Sequence, residues 1–257
     1  MIRGFSADRV ECWAVAGVGE VGPGAELGAE LAPALEAAGG LRPFDVVVVT
    51  HKIVSKAEGR TVRLADVQPG ERAQTLAARV EADPRLVEVI LGESRRVVRA
   101  GPGVLVTETH HGLVCANAGV DRSNVGGGEV VTCLPLDPDG SAAGLRRAWL
   151  PLAGGGPLGV LICDTFGRPF REGGVNVAIG LAGLPGLSDH RGVVDPHGYT
   201  LRVSTLGSAD EIAGLAELVM GKVAGRPVAV VRGLRWQGPA EGAAALQRPA
   251  ARDLFRQ

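Results

Sequence analysis

The chain has 257 residues, of which 46% are apolar and 21% charged, so it can bury the core of one large domain or two small ones. The formal net charge of −1 and the aromatic content of 4% argue against nucleic-acid binding, which needs a basic surface or stacking aromatic rings. No apolar run approaches the roughly 20 residues that span a bilayer, and the N-terminal residues lack the pattern of a signal peptide. We expect a soluble cytoplasmic protein without membrane or nucleic-acid partners.

In chain order, apolar and β-branched runs predict strands at residues 45–50, 97–100, 104–107, 158–163, 175–179, 199–205 and 228–231. Periodic apolar positions predict helices at residues 71–82, 84–91, 141–152 and 208–222, the last opened by a capping box of Ser208 and Glu211. The irregular order predicts an α+β fold with mixed sheets and flanking helices. After residue 236 the composition turns to Ala, Gly, Pro and Arg, which predicts a domain at 1–236 and a tail or linker at 237–257.

The segment THKIVSKAEGR, residues 50–60, directly follows the first predicted strand. One interpretation is a strand-end loop in which Lys52 and Lys56 neutralise a polyphosphate, and the other is a solvated basic turn. The glycine and lysine spacing of a P-loop is absent. Composition by itself slightly favours the basic turn.

The segment CANAGVDRSNVGG, residues 115–127, places Asp121 and Asn124 three residues apart among small residues. A carboxylate and an amide oxygen in a glycine-rich loop suit a hard cation such as Mg²⁺ or Mn²⁺. The same residues also suit an Asx turn, in which both side chains bond the local backbone. The residues themselves favour neither interpretation over the other.

The segment LICDTFGRPFREGG, residues 161–174, places Asp164 and Thr165 after a fully apolar strand. A carboxylate at the end of a buried strand is a common metal-holding position in phosphate-handling enzymes. Arg168 and Arg171 could clamp a phosphate or a carboxylate of the substrate by bidentate bonds. The alternative is an aspartate that caps a turn, with both arginines on the surface.

The histidines and cysteines indicate little chemistry. His110 and His111 are adjacent, so on a strand they would point to opposite faces and could not easily share one ion. Cys115 lacks a neighbour that would lower its thiol pKa, so we predict a small buried residue rather than a nucleophile. The four cysteines, at 12, 115, 133 and 163, form no CxxC pair, which predicts reduced thiols and no zinc site.

Four strings, VVVVTHKIVSKAEGR, GLVCANAGVDRSNV, ICDTFGRPFREGGVNVAIG and ADEIAGLAELVMGK, closely resemble the coenzyme F-420 γ-glutamyl ligase family. The resemblance extends from about residue 10 to residue 235. It implies a GTP-dependent ligase that adds L-glutamate to the phospholactyl-deazaflavin precursor of coenzyme F-420. It also implies an α+β fold that forms an intertwined homodimer, two Mg²⁺ or Mn²⁺ ions per site, and K⁺ as a further activator.

The resemblance also implies roles for individual residues. Asp121 and Asp164 would hold one divalent ion and Thr165 the second, and Asp121, Asp164 and Lys56 would be catalytic. The residues implied to contact GTP are Gly17, Val18, Gly19, Glu20, His51, Lys52, Lys56, Asn124, Met220, Gly221, Lys222 and Gly225. The chain departs from the family at His51, where Ser or Gln is common, and at residues 17–20, where GVGE replaces GLPE.

The resemblance predicts a reaction through an acyl phosphate, followed by attack of the glutamate amine to form an amide. Later glutamates would be linked through the γ-carboxylate. Two alternatives stay open at this point: a nucleotide-binding regulatory protein without turnover, and a related ligase that acts on another carboxylate. In one bacterial branch of the family a flavin reductase-like domain follows the ligase, so the chain is predicted to be either a stand-alone ligase or a fragment of a fused one.

Overall fold

The computed structural model describes residues 4–123, 129–253 and 255. The strands found there are β1 (Gly4–Ser6), β2 (Glu11–Ala14), β3 (Val46–Thr50), β4 (Thr61–Arg63), β5 (Ser94–Gly101), β6 (Val104–Thr109), β7 (Val114–Ala116), β8 (Val130–Thr132), β9 (Gly159–Arg168), β10 (Arg171–Ala182), β11 (Ser188–Asp189), β12 (Thr205–Leu206), β13 (Val228–Arg232) and β14 (Arg235–Gln237). The α-helices are α1 (Leu27–Glu30), α2 (Ala32–Ala37), α3 (His51–Ala57), α4 (Glu71–Val80), α5 (Pro84–Gly92), α6 (Pro138–Trp149) and α7 (Ser208–Met220). The predicted α+β class with mixed sheets is confirmed.

The centre of the fold is a five-stranded sheet in the order β10-β9-β3-β13-β2. Strands β3 and β9 run parallel, and the other neighbouring pairs are antiparallel. Both faces of this sheet are covered, which is why the valine run of β3 is continuous rather than alternating with polar residues. Successive side chains alternate between the faces, so Val47 and Val49 join one core cluster while Val46 and Val48 join another.

The two faces of the sheet are covered by different helices. On one face Leu27 of α1, Leu35 of α2 and Trp149 of α6 are buried against the sheet. On the other face α7 contributes Ile212, Ala216 and further small side chains to the second cluster. Burying large apolar side chains on both sides stabilises the sheet by roughly 1.5–3 kcal/mol for each one. The central sheet is therefore a rigid base for residues at its edges and strand ends.

The long connection between β3 and β9 forms a second, smaller core. Helices α4 and α5 pack with the sheets β5-β6-β7 and β4-β8 around Leu64, Val87, Ile90 and Val131. Strand β7 contacts β9 of the central sheet, and the backbone of Asp121 pairs with that of Thr132 at the end of β8. None of the helices in the described ranges is both long and apolar enough to cross a membrane.

Most predicted elements of regular structure are confirmed, with ends shifted by a few residues. The predicted helix at 141–152 begins earlier, at Pro138, because the Asp137 side chain accepts a hydrogen bond from Gly140 N and caps the first turn. The predicted strand at 175–179 is the middle of the much longer β10. Residues 94–101 form one strand around the predicted 97–100.

Two of the predicted site segments have a different secondary structure from the one expected. Residues 50–60 were predicted as a loop, but α3 begins at His51, because Ile53 and Val54 are buried on one side of a helical turn. Asp164 was predicted at the end of a strand, but β9 continues to Arg168 and turns directly into β10. The antiparallel partner extends β9 past its apolar half, so Asp164 lies within a hairpin.

Two further predictions around residue 205 are wrong. The predicted strand 199–205 is reduced to Thr205–Leu206, because residues 195–199 form a turn and Val203 is exposed. Ser208 was predicted as the cap of α7, but it is the first helical residue and Gly207 holds the cap position without a side-chain bond. The Ser208 hydroxyl instead lies 2.7 Å from Ser188 Oγ, so the capping box does not form. The helix ends at Met220 rather than Lys222.

The domain division at residue 236 stays a prediction. Within the segment after it, residues 243–246 form a turn of 3₁₀ helix. Ala243 is buried there, and its backbone N–H donates to the carboxylate of Asp139. This part of the predicted tail therefore packs against the domain core.

Candidate active site

A cleft of about 750 Å³ opens at the carboxyl end of β3, beside the point in β9 where its parallel pairing with β3 ends. Thr50 lines it from the end of β3, and Asp164 and Thr165 line it from β9. Crevices outside the carboxyl ends of parallel strands are the usual ligand sites of open sheets. The cleft is therefore the leading candidate for an active site.

Residues 18–20 and helix α3 form one wall of the cleft. Val18, Gly19 and Glu20 line it, as predicted for the loop, while Gly17 lies just outside with a positive φ of 78°. His51, Lys52 and Lys56 also line it, because positions one, two and six of α3 face the same side. Lys56 Nζ lies 3.3 Å from Glu20 Oε2, which is itself almost fully exposed. The two segments predicted to contact nucleotide thus meet in one wall.

Another wall is formed by the end of α7 and the segment that follows it. Met220, Gly221, Lys222 and Gly225 line the cleft, as the resemblance implied. Both glycines have positive φ values, 66° and 64°, so this turn adopts a backbone that residues with side chains rarely tolerate. Arg226, which the sequence analysis did not single out, lines the cleft directly after the turn. The wall therefore adds Lys222 and Arg226 to the positive charge of α3.

His51 connects helix α3 to Asp164. Its Nδ1 lies 3.3 Å from Ser55 Oγ one turn later, and its Nε2 lies 3.3 Å from Asp164 Oδ1. The ring is almost fully buried, and Nε2 makes no hydrogen bond. A buried ring nitrogen without a hydrogen bond is costly, and a ligand in the cleft could satisfy it. Asp164 Oδ1 also accepts the backbone N–H of Thr165 at 2.7 Å.

Asp121 approaches the same end of α3 from the smaller core. Lys52 Nζ lies 2.7 Å from Asp121 Oδ2, and Ser123 donates to the same carboxylate through its backbone N–H and its hydroxyl. Burial raises the pKa of Asp121, but the hydrogen bonds from Lys52 and Ser123 outweigh it and lower the pKa to about 2. The Asp121–Ser123 contacts are those of an Asx turn. The consecutive residues His51 and Lys52 thus contact the two carboxylates predicted to act together.

We expect Lys52→Met to raise the pKa of Asp121 by at least about one unit, because burial then acts without its main opposing interaction. In the native protein the lowered pKa of Asp121 stabilises the fold at pH values above 3.8, the ordinary pKa of an aspartate. This stabilisation is lost as the pH falls through about 2. Titration of the aspartate carboxyl carbons by NMR measures the shift. Lys56→Met is the control, because Lys56 contacts Glu20 instead. An unchanged Asp121 titration in Lys52→Met would contradict the assigned cause.

The described residues include no cluster of three or more His, Cys, Asp or Glu side chains that could enclose a metal ion. Mg²⁺ and similar ions, however, are commonly held by one or two carboxylates, with water and substrate phosphates as the other ligands. Asp164 and the Thr165 hydroxyl supply hard oxygen atoms of that kind in the cleft. Asp121 is not among the residues that line the cleft, but its carboxylate contacts Lys52, which does line it. The chemistry of these oxygen atoms fits divalent ions that bind together with a triphosphate.

Besides Arg226, two cleft residues with polar side chains were missed by the sequence analysis. Asn176 of β10 and Glu217 of α7 both line the cleft, and they are hydrogen-bonded to each other. A signal for Asn176 was present, because it is the single amide in the otherwise apolar run VNVAIGLA. Glu217 had no such signal, since a glutamate in a helix is ordinarily a solvated residue.

Other predicted residues lie outside the cleft. Arg168 and Arg171 are at the tip of the β9-β10 hairpin, where Arg168 donates to the backbone carbonyls of Glu172 and Gly173. Their role in substrate binding stays a prediction. Asn124 falls outside the described residues. His111 does not line the cleft, and its Nε2 lies 2.9 Å from the backbone carbonyl oxygen of Pro135.

Cys115 is a small buried residue, as predicted, and it forms no disulfide. Burial raises the pKa of Cys115 to about 12, with a further contribution from the negative charge of Asp164. Burial likewise raises the pKa of Cys12 to about 11, and it also raises that of Cys163, which lies in the cleft wall. A thiol that stays protonated at neutral pH is a poor nucleophile. The chemistry of the cleft therefore depends on its oxygen and nitrogen groups.

Comparison with known proteins places this arrangement in a family. A family model described as F420-0:Gamma-glutamyl ligase matches residues 17–233. The coenzyme F420:L-glutamate ligase of Methanopyrus kandleri is 46% identical over 243 residues, covering 92% of this chain and 94% of the relative. That of Methanothermobacter thermautotrophicus is 44% identical over 246 residues, covering 94% and 97%. That of Methanocaldococcus jannaschii is 39% identical over 213 residues, covering 82% and 84%. The matched region contains every residue that lines the cleft, and the chain belongs to the F420-0:gamma-glutamyl ligase family.

Proposed function

We propose that this protein is a ligase of coenzyme F-420 biosynthesis that uses GTP and divalent metal to add L-glutamate to the phospholactyl-deazaflavin precursor. The observation that carries the proposal is the composition of the cleft. Lys52, Lys56, Lys222 and Arg226 line it together with the carboxylate of Asp164. Four cations suit a triphosphate, and a carboxylate beside them suits the metal ions that accompany one. Family membership supports the choice of glutamate as the added group.

The proposed chemistry begins with activation of a carboxylate. A carboxylate is a poor acyl donor because its leaving group would be oxide. Transfer of the γ-phosphate of GTP to the lactyl carboxylate forms a mixed anhydride and releases GDP. The glutamate α-amine then attacks the carbonyl carbon, which forms the amide, releases inorganic phosphate and gives up a proton. Later glutamates would join through the γ-carboxylate.

The residues of the chain would bind and orient the substrates in this sequence. Lys52, Lys56 and Lys222 offset the negative charge of the triphosphate. Nε2 of His51 is buried at the cleft wall without a hydrogen bond, so it can donate to or accept from a bound group. Divalent ions held by Asp121, Asp164 and Thr165 would neutralise charge on the transferred phosphoryl group when bound. The homodimer and the K⁺ dependence implied by the resemblance stay predictions.

Mass spectrometry of the reaction product tests the proposal. We expect incubation with the precursor, GTP, L-glutamate and Mn²⁺ to increase the precursor mass by one or more glutamyl units, with GDP formed in equal number. Omitting GTP is the control and should leave the precursor unchanged. A nucleotide-binding regulator would give neither product nor GDP. A ligase for another carboxylate would leave this precursor unchanged, and both outcomes would contradict the proposal.

A further inference from the structure

A chain of hydrogen bonds runs through the wall of the cleft behind Thr165. Thr165 on β9 and Asn176 on β10 are paired across the two antiparallel strands. The Thr165 hydroxyl donates to Asn176 Oδ1 at 2.7 Å, and Asn176 Nδ2 donates to Glu217 Oε2 of α7 at 2.9 Å. Asn176 is 3% exposed, so water does not compete strongly for these bonds. Three elements of the fold are thus joined at this point.

The donor and the acceptor of each hydrogen bond in this series follow from Glu217, its last member. A carboxylate accepts hydrogen bonds and does not donate them, so Glu217 requires the NH₂ group of Asn176 to face it. A second contact agrees, because Asn176 Nδ2 also lies 3.4 Å from Cys163 Sγ. The carbonyl oxygen of Asn176 must then face Thr165, and it can only accept. The hydroxyl proton of Thr165 is therefore directed into the protein, away from the cleft.

The remaining side of the Thr165 oxygen can only accept. A hydroxyl has one proton and two lone pairs, and the proton is used by Asn176. Lys222 Nζ lies 3.4 Å from Thr165 Oγ1 and is a donor without acceptor capacity, which agrees with lone pairs on that side. An oxygen that presents only lone pairs suits a cation. The same hydroxyl with its proton turned outward would repel one.

We propose that Asn176, held by Glu217, is a positioning residue that turns the lone pairs of Thr165 toward the cleft, where they can accept a divalent cation. The proposal rests on the proposed function and extends it to two residues outside the predicted site. Neither Asn176 nor Glu217 needs to touch the ion or the nucleotide in this role. Their contribution is the fixed orientation of one hydroxyl, which a free threonine would have to adopt on binding at a cost.

A double-mutant cycle on Mn²⁺ binding tests the coupling. We expect Thr165→Val and Asn176→Leu each to weaken Mn²⁺ binding in the presence of GTP by about tenfold, measured by electron paramagnetic resonance of free Mn²⁺. The double variant should also lose about tenfold, because either change removes the same oriented oxygen. Independent losses that multiply to about 100-fold would overturn the proposal. Circular dichroism and thermal melting without ligand verify that each variant is folded.

A second pair of variants separates orientation from charge. Glu217→Gln keeps an oxygen that can accept from Asn176, so we expect Mn²⁺ binding within about twofold of the native protein. Glu217→Leu removes the acceptor, and binding should fall about fivefold. Glu211→Leu, on the exposed side of α7, is the matched control and should change nothing. Equal losses in Glu217→Gln and Glu217→Leu would mean that the charge itself acts, which overturns the proposal.

The outcomes also separate this inference from the proposed function. Native protein that makes the glutamylated product and binds Mn²⁺ with GTP, but shows multiplying losses in the cycle, would overturn the role of Asn176 and leave the ligase assignment standing. Native protein that neither binds Mn²⁺ with GTP nor makes the product would overturn both.

Discussion

Asp164→Asn is expected to reduce the rate of GTP-dependent glutamylation by roughly 1,000-fold, because a neutral amide holds a divalent ion beside the triphosphate far more weakly than a carboxylate does. The fold should survive, since the amide oxygen can still accept the backbone N–H of Thr165 that Asp164 accepts now. Initial rates of GDP and product formation measure the effect, and thermal melting checks the fold.

The control for this variant is Asp8→Asn, which removes an exposed carboxylate that does not line the cleft. It should leave the rate and the melting temperature unchanged. Native turnover by Asp164→Asn would remove the basis for metal-assisted chemistry at this site. Loss of turnover together with loss of folding would show that the carboxylate is structural, which also contradicts the prediction.

Asp45→Ala is expected to lower the free energy of unfolding by about 3–5 kcal/mol, because it leaves a partly buried guanidinium without its partner. Asp45 is fully buried, and its two oxygens accept from Arg232 Nε at 2.9 Å and from Arg232 Nη2 at 2.7 Å. The same carboxylate accepts the backbone N–H of Arg42 at 2.7 Å. The Arg232 guanidinium also stacks 4.9 Å from the centre of the Trp13 ring. These contacts join the start of β3 to the end of β13.

Urea unfolding at neutral pH measures this loss as a shift of the midpoint at constant slope. Asp66→Ala is the control, because Asp66 is 3.9 Å from Arg63 in an exposed pair of the kind that contributes about 1 kcal/mol or less. A loss below about 1 kcal/mol in Asp45→Ala would mean that water replaces the carboxylate at Arg232, and the pair would then not be an important support of the sheet.

The central sheet was predictable from local pattern where burial is uniform. The run VVVVT has one β-branched residue after another, and a strand covered on both faces accepts that composition. Predictions failed where a partner decides the conformation. Asp164 extends a strand because β10 lies beside it. Residues 199–204 make only a single isolated bridge, between Thr200 and Val194, and a few separate backbone hydrogen bonds to residues 190–195, so they form no continuous strand. Ser208 contacts Ser188 instead of capping its own helix, and no local rule indicates that partner.

The residues of the candidate site were likewise predictable only in part from the sequence. The residues of the GVGE loop, α3, β9 and the turn after α7 were identified from the family resemblance, and the fold brings most of them together in one cleft. Asp121 reaches the first turn of α3 through Lys52, a contact between positions far apart in the chain. Asn176 and Glu217 were missed because each becomes significant only through the other and through Thr165.

The sequence by itself determined the family, the α+β class and the segments that form the cleft, because these depend on residue types at positions along the chain. Only the tertiary structure decided which side chains meet, that α3 replaces the expected loop, and in which direction the Thr165 hydroxyl points. The physical reason is that hydrogen-bond partners and burial are set by elements distant in sequence. An asparagine or glutamate has a definite role only after the fold has placed an acceptor or a donor against it.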